Sequence, residues 1–420
     1  MSDSIRFHYL IETPGDPEAM AVKIATDQST GTFTDLPNET ADVKSRCAAR
    51  VISVEELEPL ARPSWPDDHP GPFRRARISI DFPLESIGTD FAALQTIGIS
   101  ALYATRGLSG ARLLDIDLPG AYACHPGPQF GIEGSYRMCG RPWPGQAPLI
   151  ASIIKPSLGL LPEETAGMVR QLCEAGVDFI KDDEKLTSPA YSPFDERVKA
   201  IMRVIEAHAD KTGKKVVYAF GLSSADPEEM ARRQDVVMAH GGQAAVVNIN
   251  SIGFGGMTYL RRRTGLALHA HRNGWDLLTR HPAIGMAFRP WQKIWRLLGV
   301  DQLQINGIAA KYWEPDESFL QSFRDMAEPI FSESDRALPV CGSGQWGGQA
   351  PATFAGTGGA LELMYLGGGG IHGHPLGLGA GVSAIRQAWE AAIAGISLQD
   401  HAKTHPELAV SLAKFGKKAG

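Results

Sequence analysis

A cluster of ionisable residues follows a short apolar run over residues 177–180: Lys181, Asp182, Asp183 and Glu184. Ionised groups out of water need partners, and carboxylates in contact raise one another's pKa. A divalent cation such as Mg2+ prefers carboxylate oxygens and would relieve this crowding. A lysine amine that has reacted with CO2 becomes a carbamate, which is an anionic oxygen ligand. The cluster indicates either such a metal site or a solvated strand end where Lys181 pairs with its neighbours.

Glycines in the last third of the chain indicate a second kind of chemistry, the binding of a phosphate group. Gly344 and residues 368–370 follow two of the late apolar segments. Backbone N–H groups that no side chain covers can surround a phosphate, and the last two strand ends of barrel enzymes commonly do so. Arg272 and Lys311 would add positive charge for a phosphate or a carboxylate. A flexible turn is the alternative explanation of the glycine run.

The elements that must position these residues begin after about residue 141, where short apolar runs alternate with helical patterns. Apolar spacing predicts helices over residues 162–175 and 195–208, and Asp226 before Pro227 predicts the start of another. The apolar runs are residues 149–154, 177–180, 216–220, 244–249, 266–269, 303–305, 338–341 and 361–366. Eight strand–helix units over roughly 250 residues match a (β/α)8 barrel. An open doubly wound sheet is the alternative, but no GxGxxG motif follows the first run.

Polar residues follow most of the predicted strands, and the active sites of such barrels lie at these carboxyl ends. The residues are Lys155, Lys181, Asn248, His269, His271, Arg272, Gln304, Asn306, Lys311, Gly344, His372 and His374. Taken singly, each has an ordinary explanation, such as a packing role for His374 beside Pro375. Taken together they predict a functional site, because chance would have to place polar residues on the same side at one strand end after another.

The first 140 residues have the mixed pattern of an α+β domain. The predicted elements are strands over residues 5–11, 76–82 and 111–116, a short helix over residues 19–24 and a loop over residues 27–34. A stretch rich in proline and glycine, residues 125–145, marks a boundary. We therefore predict an N-terminal domain over residues 1–140 and a barrel over residues 141–420.

Composition and charge limit the classes of protein to which the chain can belong. Of its 420 residues 43% are hydrophobic and 21% charged, and the net charge is -6, as in soluble globular proteins. No basic block points to nucleic acid, and no run of roughly 18 apolar residues points to a membrane helix. The N-terminus lacks a signal-peptide pattern, and five widely spaced cysteines without CxxC favour reduced thiols in a cytoplasm.

Several motifs resemble, in this order, those of ribulose-bisphosphate carboxylase (RuBisCO) and its relatives, the RuBisCO-like proteins. The motifs are STGTF at residues 29–33, IKPSLGL at 154–160, DFIKDDE at 178–184, HAHR at 269–272, the loop that ends in Lys311, and GGGIHGHP at 368–375. The resemblance covers nearly the whole chain. It implies an N-terminal α+β domain, a barrel with C-terminal helices, and a homodimer whose N-terminal domain completes the partner's active site.

The resemblance also implies roles for individual residues. Lys181 is expected to be carbamylated by CO2 and to hold Mg2+ with Asp183 and Glu184, and Lys155 to be the acid/base lysine beside the substrate's enediolate. The expected catalytic residues are Lys155, Lys181, His271 and Lys311. The expected contacts to substrate or phosphate are Thr32, Arg272, Gln304, Gly344, Gly368 and Gly369.

Several positions depart from the pattern of the true carboxylases. The second lysine after the first strand is replaced by Ser157, and the metal-contacting asparagine of the N-terminal domain by Ile99. Trp275, Gln304, Gly342 and Ala310 replace two histidines, a serine and a glycine of the family pattern. The metal ligands, one lysine and one phosphate site thus remain, whereas the second phosphate site does not. We therefore expect a RuBisCO-like protein that is not a carboxylase of ribulose bisphosphate.

The remaining residues could stabilise an enolate, which is required in two kinds of reaction. The first is decarboxylation, or hydrolytic removal of the carboxyl group, of a singly phosphorylated β-keto sugar acid; RuBisCO-like proteins of apionate catabolism act on 3-oxo-isoapionate 4-phosphate. The second belongs to methionine salvage, as a 2,3-diketo-5-methylthiopentyl-1-phosphate enolase or a methylthioribulose-phosphate isomerase. A non-catalytic regulatory protein is a third hypothesis, which the retained charged cluster disfavours.

Overall fold

The computed structural model describes residues 3–100, 102–263 and 265–416. Its strands are β1 (Ser4–Thr13), β2 (Arg50–Leu60), β3 (Phe73–Pro83), β4 (Gly110–Asp117), β5 (Leu149–Ile153), β6 (Phe179–Lys181), β7 (Val217–Gly221), β8 (Ala244–Asn248), β9 (Ala267–His271), β10 (Ile284–Met286), β11 (Gln302–Asn306), β12 (Leu338–Gln345) and β13 (Met364–Gly367). Its α-helices are α1 (Pro17–Asp27), α2 (Ala41–Cys47), α3 (Leu84–Ile87), α4 (Phe91–Gln95), α5 (Gly131–Met138), α6 (Pro162–Glu174), α7 (Phe194–Thr212), α8 (Pro227–Ala239), α9 (Ile249–Arg263), α10 (Trp275–Thr279), α11 (Phe288–Leu297), α12 (Asp316–Ala327), α13 (Ala350–Gly356), α14 (Gly369–His372), α15 (Leu378–Ala394), α16 (Leu398–His401) and α17 (Pro406–Phe415).

Contacts between residues divide the chain into two compact units. The first combines Met1–His125 with Gly274–Trp295, and the second combines Pro126–Asn273 with Arg296–Gly420. The domain limits given from the sequence, residues 1–140 and 141–420, stay a prediction. Among the described residues, no helix has both the length and the apolar character that crossing a membrane requires.

The first unit contains a five-stranded sheet with the strand order β10-β4-β1-β3-β2. β1 lies between β3 and β4 and is antiparallel to both, with Ile5, Phe7, Tyr9 and Ile11 buried on one face. The predicted strands over residues 5–11, 76–82 and 111–116 lie within β1, β3 and β4. β2 was not predicted, because most of its residues are exposed and it lacks the alternation that marks a half-buried strand.

The second unit contains the predicted barrel, closed by eight parallel strands in the order β11-β12-β13-β5-β6-β7-β8-β9. Each predicted apolar run contributes to one of these strands, and Asp226 is the N-cap of α8 as predicted. Leu149, Phe179, Val217 and Val340 belong to the core that the strands surround. α5 closes the end of the barrel opposite to the carboxyl ends, since Tyr136 Oη donates a hydrogen bond of 2.5 Å to Leu361 O, just before β13.

A buried carboxylate connects α5 to the barrel strands. Asp301, directly before β11, accepts hydrogen bonds from Phe130 N at 2.5 Å, Gly131 N at 3.2 Å and Leu268 N at 2.8 Å. Arg261 Nη1 lies 3.0 Å from its second oxygen, and both side chains are buried. The carboxylate therefore satisfies three backbone donors and one guanidinium in a place that water does not reach.

We expect Asp301→Ala to lower the free energy of unfolding by about 3–5 kcal/mol, because it removes the carboxylate that faces the buried Arg261 charge and leaves three backbone N–H groups without this acceptor. Urea unfolding of the purified protein measures the change. Glu317→Ala is the matched control: Glu317 pairs with Arg324 at 2.5 Å on the surface, and its loss should cost no more than about 1 kcal/mol. Equal effects of the two variants would contradict the structural role of Asp301.

Candidate active site

The carboxyl ends of the barrel strands bring most of the predicted residues to one edge. Lys155 follows β5, Lys181 ends β6, and His271 ends β9. Parallel strands in a closed barrel direct these ends to the same side. Direct contacts join several of them: Lys155 lies beside Asp183, and His271 lies beside Glu184. The arrangement can place several polar groups around one small molecule.

Lys181 is a fully buried ionisable group at this edge. Its side chain is 0% exposed, and its Nζ has no hydrogen-bond partner. The nearest carboxylate oxygen, Glu184 Oε2, lies 3.6 Å away. Burial lowers the pKa of the amine, against the opposing influence of Glu184 and Asp183. A neutral amine is the form that reacts with CO2, so the surroundings of Lys181 favour the reactant of carbamate formation.

Lys155 and Asp183 form a short ion pair at the same edge of the barrel as Lys181. Lys155 Nζ lies 2.5 Å from Asp183 Oδ2 and donates a second hydrogen bond of 2.9 Å to Ser157 Oγ. Burial by itself raises the pKa of Asp183, but the hydrogen bonds from Lys155 and Ser157 outweigh it, so the pKa is lowered. Ser157, at the position of the family's second lysine, thus helps to orient the first one.

Asp182, the middle carboxylate of the cluster, has a structural role. It accepts hydrogen bonds from Tyr218 Oη at 2.6 Å and Gly221 N at 2.9 Å, and Arg197 Nη2 lies 3.4 Å away. These partners belong to β7 and α7, and Asp182 is fully buried among them. The three adjacent carboxylates are therefore divided: Asp183 and Glu184 contact the Lys155–Lys181 region, while Asp182 holds the strand ends together.

His271 and His269 lie on β9, and both are neutral near pH 7. Burial lowers the pKa of His271 to about 4, and its Nε2 lies 3.6 Å from Glu184 Oε2. His269 lies deeper in the barrel, stacked on Phe179, where burial and the nearby Lys181 lower its pKa to about 3. His269 Nδ1 donates to Gln302 Oε1 at 3.0 Å. A neutral His271 can accept or donate a hydrogen bond to a substrate.

The glycines at the ends of β12 and β13 leave backbone uncovered beside two lysines. Gly344 has a φ of 93°, and a Cβ at this position would approach the Lys311 side chain to 3.2 Å. A Cβ on Gly368 would lie 3.4 Å from Lys155 Cε. Lys311 N also donates to Ser343 O at 3.0 Å, which ties the loop after β11 to β12. Lys311, Gly344 and Gly368 are thus brought to the same edge as Lys155, and Gly369 begins the short α14.

Arg272 is neutralised by a residue that sequence reasoning missed, Glu314. Arg272 Nη2 lies 2.5 Å from Glu314 Oε2, and this oxygen also accepts from Asn306 Nδ2 at 3.0 Å. Ser318 Oγ donates to the other oxygen at 2.7 Å. Glu314 is only 5% exposed. Its position three residues after Lys311, in the loop that the family pattern marks, was the one signal available in the sequence.

Buried polar atoms without hydrogen-bond partners are concentrated at this edge. Within the described residues they include Asn248 Oδ1, His271 Nδ1, Arg272 Nη1, Asn306 Oδ1 and Gln345 Oε1, besides Lys181 Nζ. Each of these residues ends a barrel strand or follows one directly. Unpaired buried polar groups are costly in a folded protein. Their concentration here is typical of a pocket that a polar ligand completes.

Three further residues from the sequence analysis, Gln304, Thr32 and His374, have other surroundings. Gln304 is on β11, where its Nε2 lies 3.5 Å from His269 Nε2, at the limit of a hydrogen bond. Thr32 lies in an exposed segment of the first unit, outside the barrel. His374 has the packing role considered above: its Nε2 donates to Glu407 O at 3.0 Å.

Comparison with known proteins identifies relatives of the whole chain. The profile of the family described as ribulose bisphosphate carboxylase large chain, catalytic domain, matches residues 131–415. A Rhizobium rhizogenes protein named 3-oxo-isoapionate-4-phosphate decarboxylase is 59% identical, over 99% of this chain and 100% of its own length. A Xanthobacter autotrophicus protein named 3-oxo-isoapionate-4-phosphate transcarboxylase/hydrolase is 43% identical, over 98% and 99% of the two chains. The crystal structure of a rubisco-like protein from Burkholderia fungorum superposes with a TM-score of 0.90 at 40% identity, covering 98% of this chain and 99% of that one.

The pKa of His269 predicts how stability depends on pH. Its folded pKa of about 3 lies below the unfolded value of about 6.5, so only the unfolded chain takes up a proton as the pH falls below 6.5. Between pH 6.5 and 5 this should remove about 2 kcal/mol of the free energy of unfolding. In His269→Gln that part of the loss should be absent when urea unfolding is measured without Mg2+ and bicarbonate.

The exposed His240, whose Nδ1 lies 2.9 Å from Val236 O, supplies the control. His240→Gln should follow the wild-type pH dependence. If the His269→Gln curve also runs parallel to that of the wild type, His269 is not held neutral by its surroundings.

Proposed function

The chain belongs to the family of the ribulose bisphosphate carboxylase large chain, and on this premise we propose that it is a decarboxylase of 3-oxo-isoapionate 4-phosphate. The observation that carries the proposal is the Lys181 amine, buried without a partner beside Asp183 and Glu184. Full-length similarity to an enzyme named for that reaction supports the choice of substrate. Lys155, Lys181, Asp183 and Glu184 together could stabilise the enediolate that decarboxylation of a β-keto acid requires.

The residues present fit a Mg2+ site. As a carbamate, Lys181 would carry two oxygens beyond its Nζ, which has no hydrogen-bond partner. Together with the carboxylates of Asp183 and Glu184, these oxygens would form the all-oxygen ligand set that Mg2+ prefers. When bound there, the ion would polarise the substrate's ketone and neutralise the charge that develops on its oxygen. Mg2+ prefers oxygen ligands, and the bare amine offers none, so we propose that activity depends on CO2 as well as on Mg2+.

Lys155 is the proposed proton donor. The carbon–carbon bond to the carboxylate breaks, CO2 leaves, and the electron pair of that bond moves toward the adjacent carbonyl group. The carbon that lost CO2 must then gain one proton. Lys155 Nζ is held by Asp183 and Ser157 in front of the buried cluster, where a protonated amine can deliver that proton.

The substrate's two ends would meet different surroundings. Lys311 with the uncovered backbone of Gly344, Gly368 and Gly369 is proposed to hold its single phosphate. At the other side, Arg272 is already paired with Glu314, so the net charge offered to the substrate is close to zero. The unpartnered Arg272 Nη1 and Asn306 Oδ1 provide one donor and one acceptor, which suits a hydroxyl group better than a second phosphate.

We further propose a homodimer in the cytoplasm, in which Thr32 is contributed to the phosphate site across the dimer. A solved structure that resembles this chain, described as a dimeric archaeal Rubisco from Hyperthermus butylicus, has a TM-score of 0.84 at 25% identity and supports a dimer. Sedimentation analysis of the purified protein would measure the number of chains.

The test of the reaction is CO2 release from 3-oxo-isoapionate 4-phosphate by protein incubated with Mg2+ and bicarbonate. Lys181→Ala should lower kcat at least about a thousandfold, or ~4 kcal/mol in the barrier, because no carbamate can form. Lys199→Ala, an exposed lysine on α7, is the control and should retain full activity. Release of the carboxyl group as bicarbonate or its transfer would favour the hydrolytic relative's reaction. Solvent-deuterium exchange into a methylthio sugar phosphate would favour the enolase hypothesis. Full turnover by Lys181→Ala would exclude the carbamate.

We expect Glu314→Gln to weaken discrimination against a second phosphate. Removing the carboxylate charge leaves the Arg272 guanidinium without its ionic partner, and a charged hydrogen bond contributes about 1.5–3 kcal/mol. Ribulose bisphosphate should therefore inhibit this variant at least about tenfold more strongly than the wild type. Glu317→Gln, an exposed change on α12, should leave the inhibition constant unchanged. An unaltered constant in Glu314→Gln would mean that this carboxylate does not select the substrate.

A further inference from the structure

A group of metal-binding side chains lies on the second unit, apart from the carboxyl ends of the barrel strands. It consists of Glu390 on α15, His401 at the end of α16 and His405 directly before α17. One ligand atom of each residue lies within 4.8 Å of those of the other two, and among the described residues this is the one such group of three. We propose that Glu390, His401 and His405 bind a divalent transition metal ion of the Zn2+ type.

The orientation of His405 supports the proposal. Its Nδ1 lies 2.8 Å from His401 O and 3.0 Å from Thr404 Oγ1. A backbone carbonyl can only accept, so Nδ1 carries the proton and Nε2 keeps its lone pair. Histidines that bind metal ions commonly donate their second ring N–H to a carbonyl in this way, which fixes the tautomer and the ring orientation.

His401 supplies the second, independent observation. Its Nε2 is buried and has no hydrogen-bond partner. Glu390 Oε2, the nearest carboxylate oxygen, lies 3.9 Å from it, too far for a hydrogen bond. The His401 and His405 rings stack with their centroids 3.7 Å apart. The stacked rings and the carboxylate bring one ligand atom of each residue within 4.8 Å of the others, and rotation of the His401 ring would aim its unpartnered nitrogen at a cation shared with His405 and Glu390.

The ligand types select the class of metal. Two imidazole nitrogens and one carboxylate suit Zn2+ and its neighbours in the transition series, whereas Mg2+ and Ca2+ prefer oxygen ligands alone. A tetrahedral Zn2+ with bonds of about 2.0–2.1 Å brings ligand atoms to about 3.3 Å from one another. The side chain of Glu390 is 54% exposed and free to rotate over that remaining distance. Water would occupy the fourth position.

The bound ion would stabilise the C-terminal helices against the barrel. It would join α15 to the residue that begins α17, and α17 contacts segments near the candidate active site. Glu407 O on this helix accepts from His374, which follows β13, and Phe415 packs on Trp346, which follows β12, with ring centroids 5.4 Å apart. The site is therefore structural, and the inference does not depend on the proposed decarboxylase reaction.

The experiment measures Zn2+ bound per chain by equilibrium dialysis of the full-length protein. The wild type should bind one equivalent of Zn2+ more than the double variant His401→Ala/His405→Ala. Any Zn2+ bound near Asp183 is the same in both proteins and does not affect this difference. Glu390→Gln, an exposed change that keeps the fold, should lower the affinity for this additional Zn2+ at least about tenfold. His240→Ala removes a histidine whose Nδ1 also lies beside the carbonyl oxygen four residues earlier but which does not belong to the group of three. It should bind Zn2+ as the wild type does.

A second readout separates this site from a general effect on folding. Zn2+ should raise the thermal unfolding temperature of the wild type and of His240→Ala more than that of the double variant, since an ion that binds only the folded chain stabilises it. Equal numbers of bound Zn2+ and equal affinities in the wild type, the double variant and Glu390→Gln would overturn the proposal.

Discussion

The burial of the Lys181 amine without a hydrogen-bond partner is the constraint on which the candidate site depends. An ammonium group in this position would lose its hydration and gain no hydrogen bond in return, so burial lowers the pKa of the amine and raises the share of the neutral form. Asp183 is held by Lys155, and Asp182 is held by Tyr218, Gly221 and Arg197. Glu184 is left as the carboxylate nearest to the amine. This division of partners makes Lys181 available for carbamate formation.

The closed barrel allows such a charged cluster to exist. Its core side chains and the capping helix α5 fill one end, and the Asp301 carboxylate satisfies the backbone there. Several unsatisfied polar atoms lie at the carboxyl ends of the strands, on Lys181, Asn248, His271, Asn306 and Gln345. Stability and chemistry are thereby located at opposite ends of the same strands, as is general for this architecture. The pairing of Arg272 with Glu314 then adjusts the charge of the site without altering the strands.

The sequence allowed the barrel and much of the candidate site to be predicted, because both are local properties of the chain. Each strand is a short apolar run that the barrel buries, and Lys155, Lys181 and His271 occur at the ends of such runs. β2 escaped prediction because its exposed residues lack a periodic pattern. The role of Asp182 could not be assigned either, since its neighbours in sequence are ionisable residues while its partners come from β7 and α7.

What the sequence by itself determined is the order of the strands along the chain and the residue types at their ends, because hydrophobic periodicity and motifs are written in neighbouring positions. Only the tertiary structure decided which charges meet. Glu314 and Arg272 are 42 residues apart, and Lys155 and Asp183 are 28 residues apart. Glu390 lies on α15, whereas His401 ends α16 and His405 precedes α17, so the packing of these helices decides whether Glu390 meets the two histidines. Coulomb and hydrogen-bond energies depend on distance in space, and packing of the helices against the barrel determines that distance.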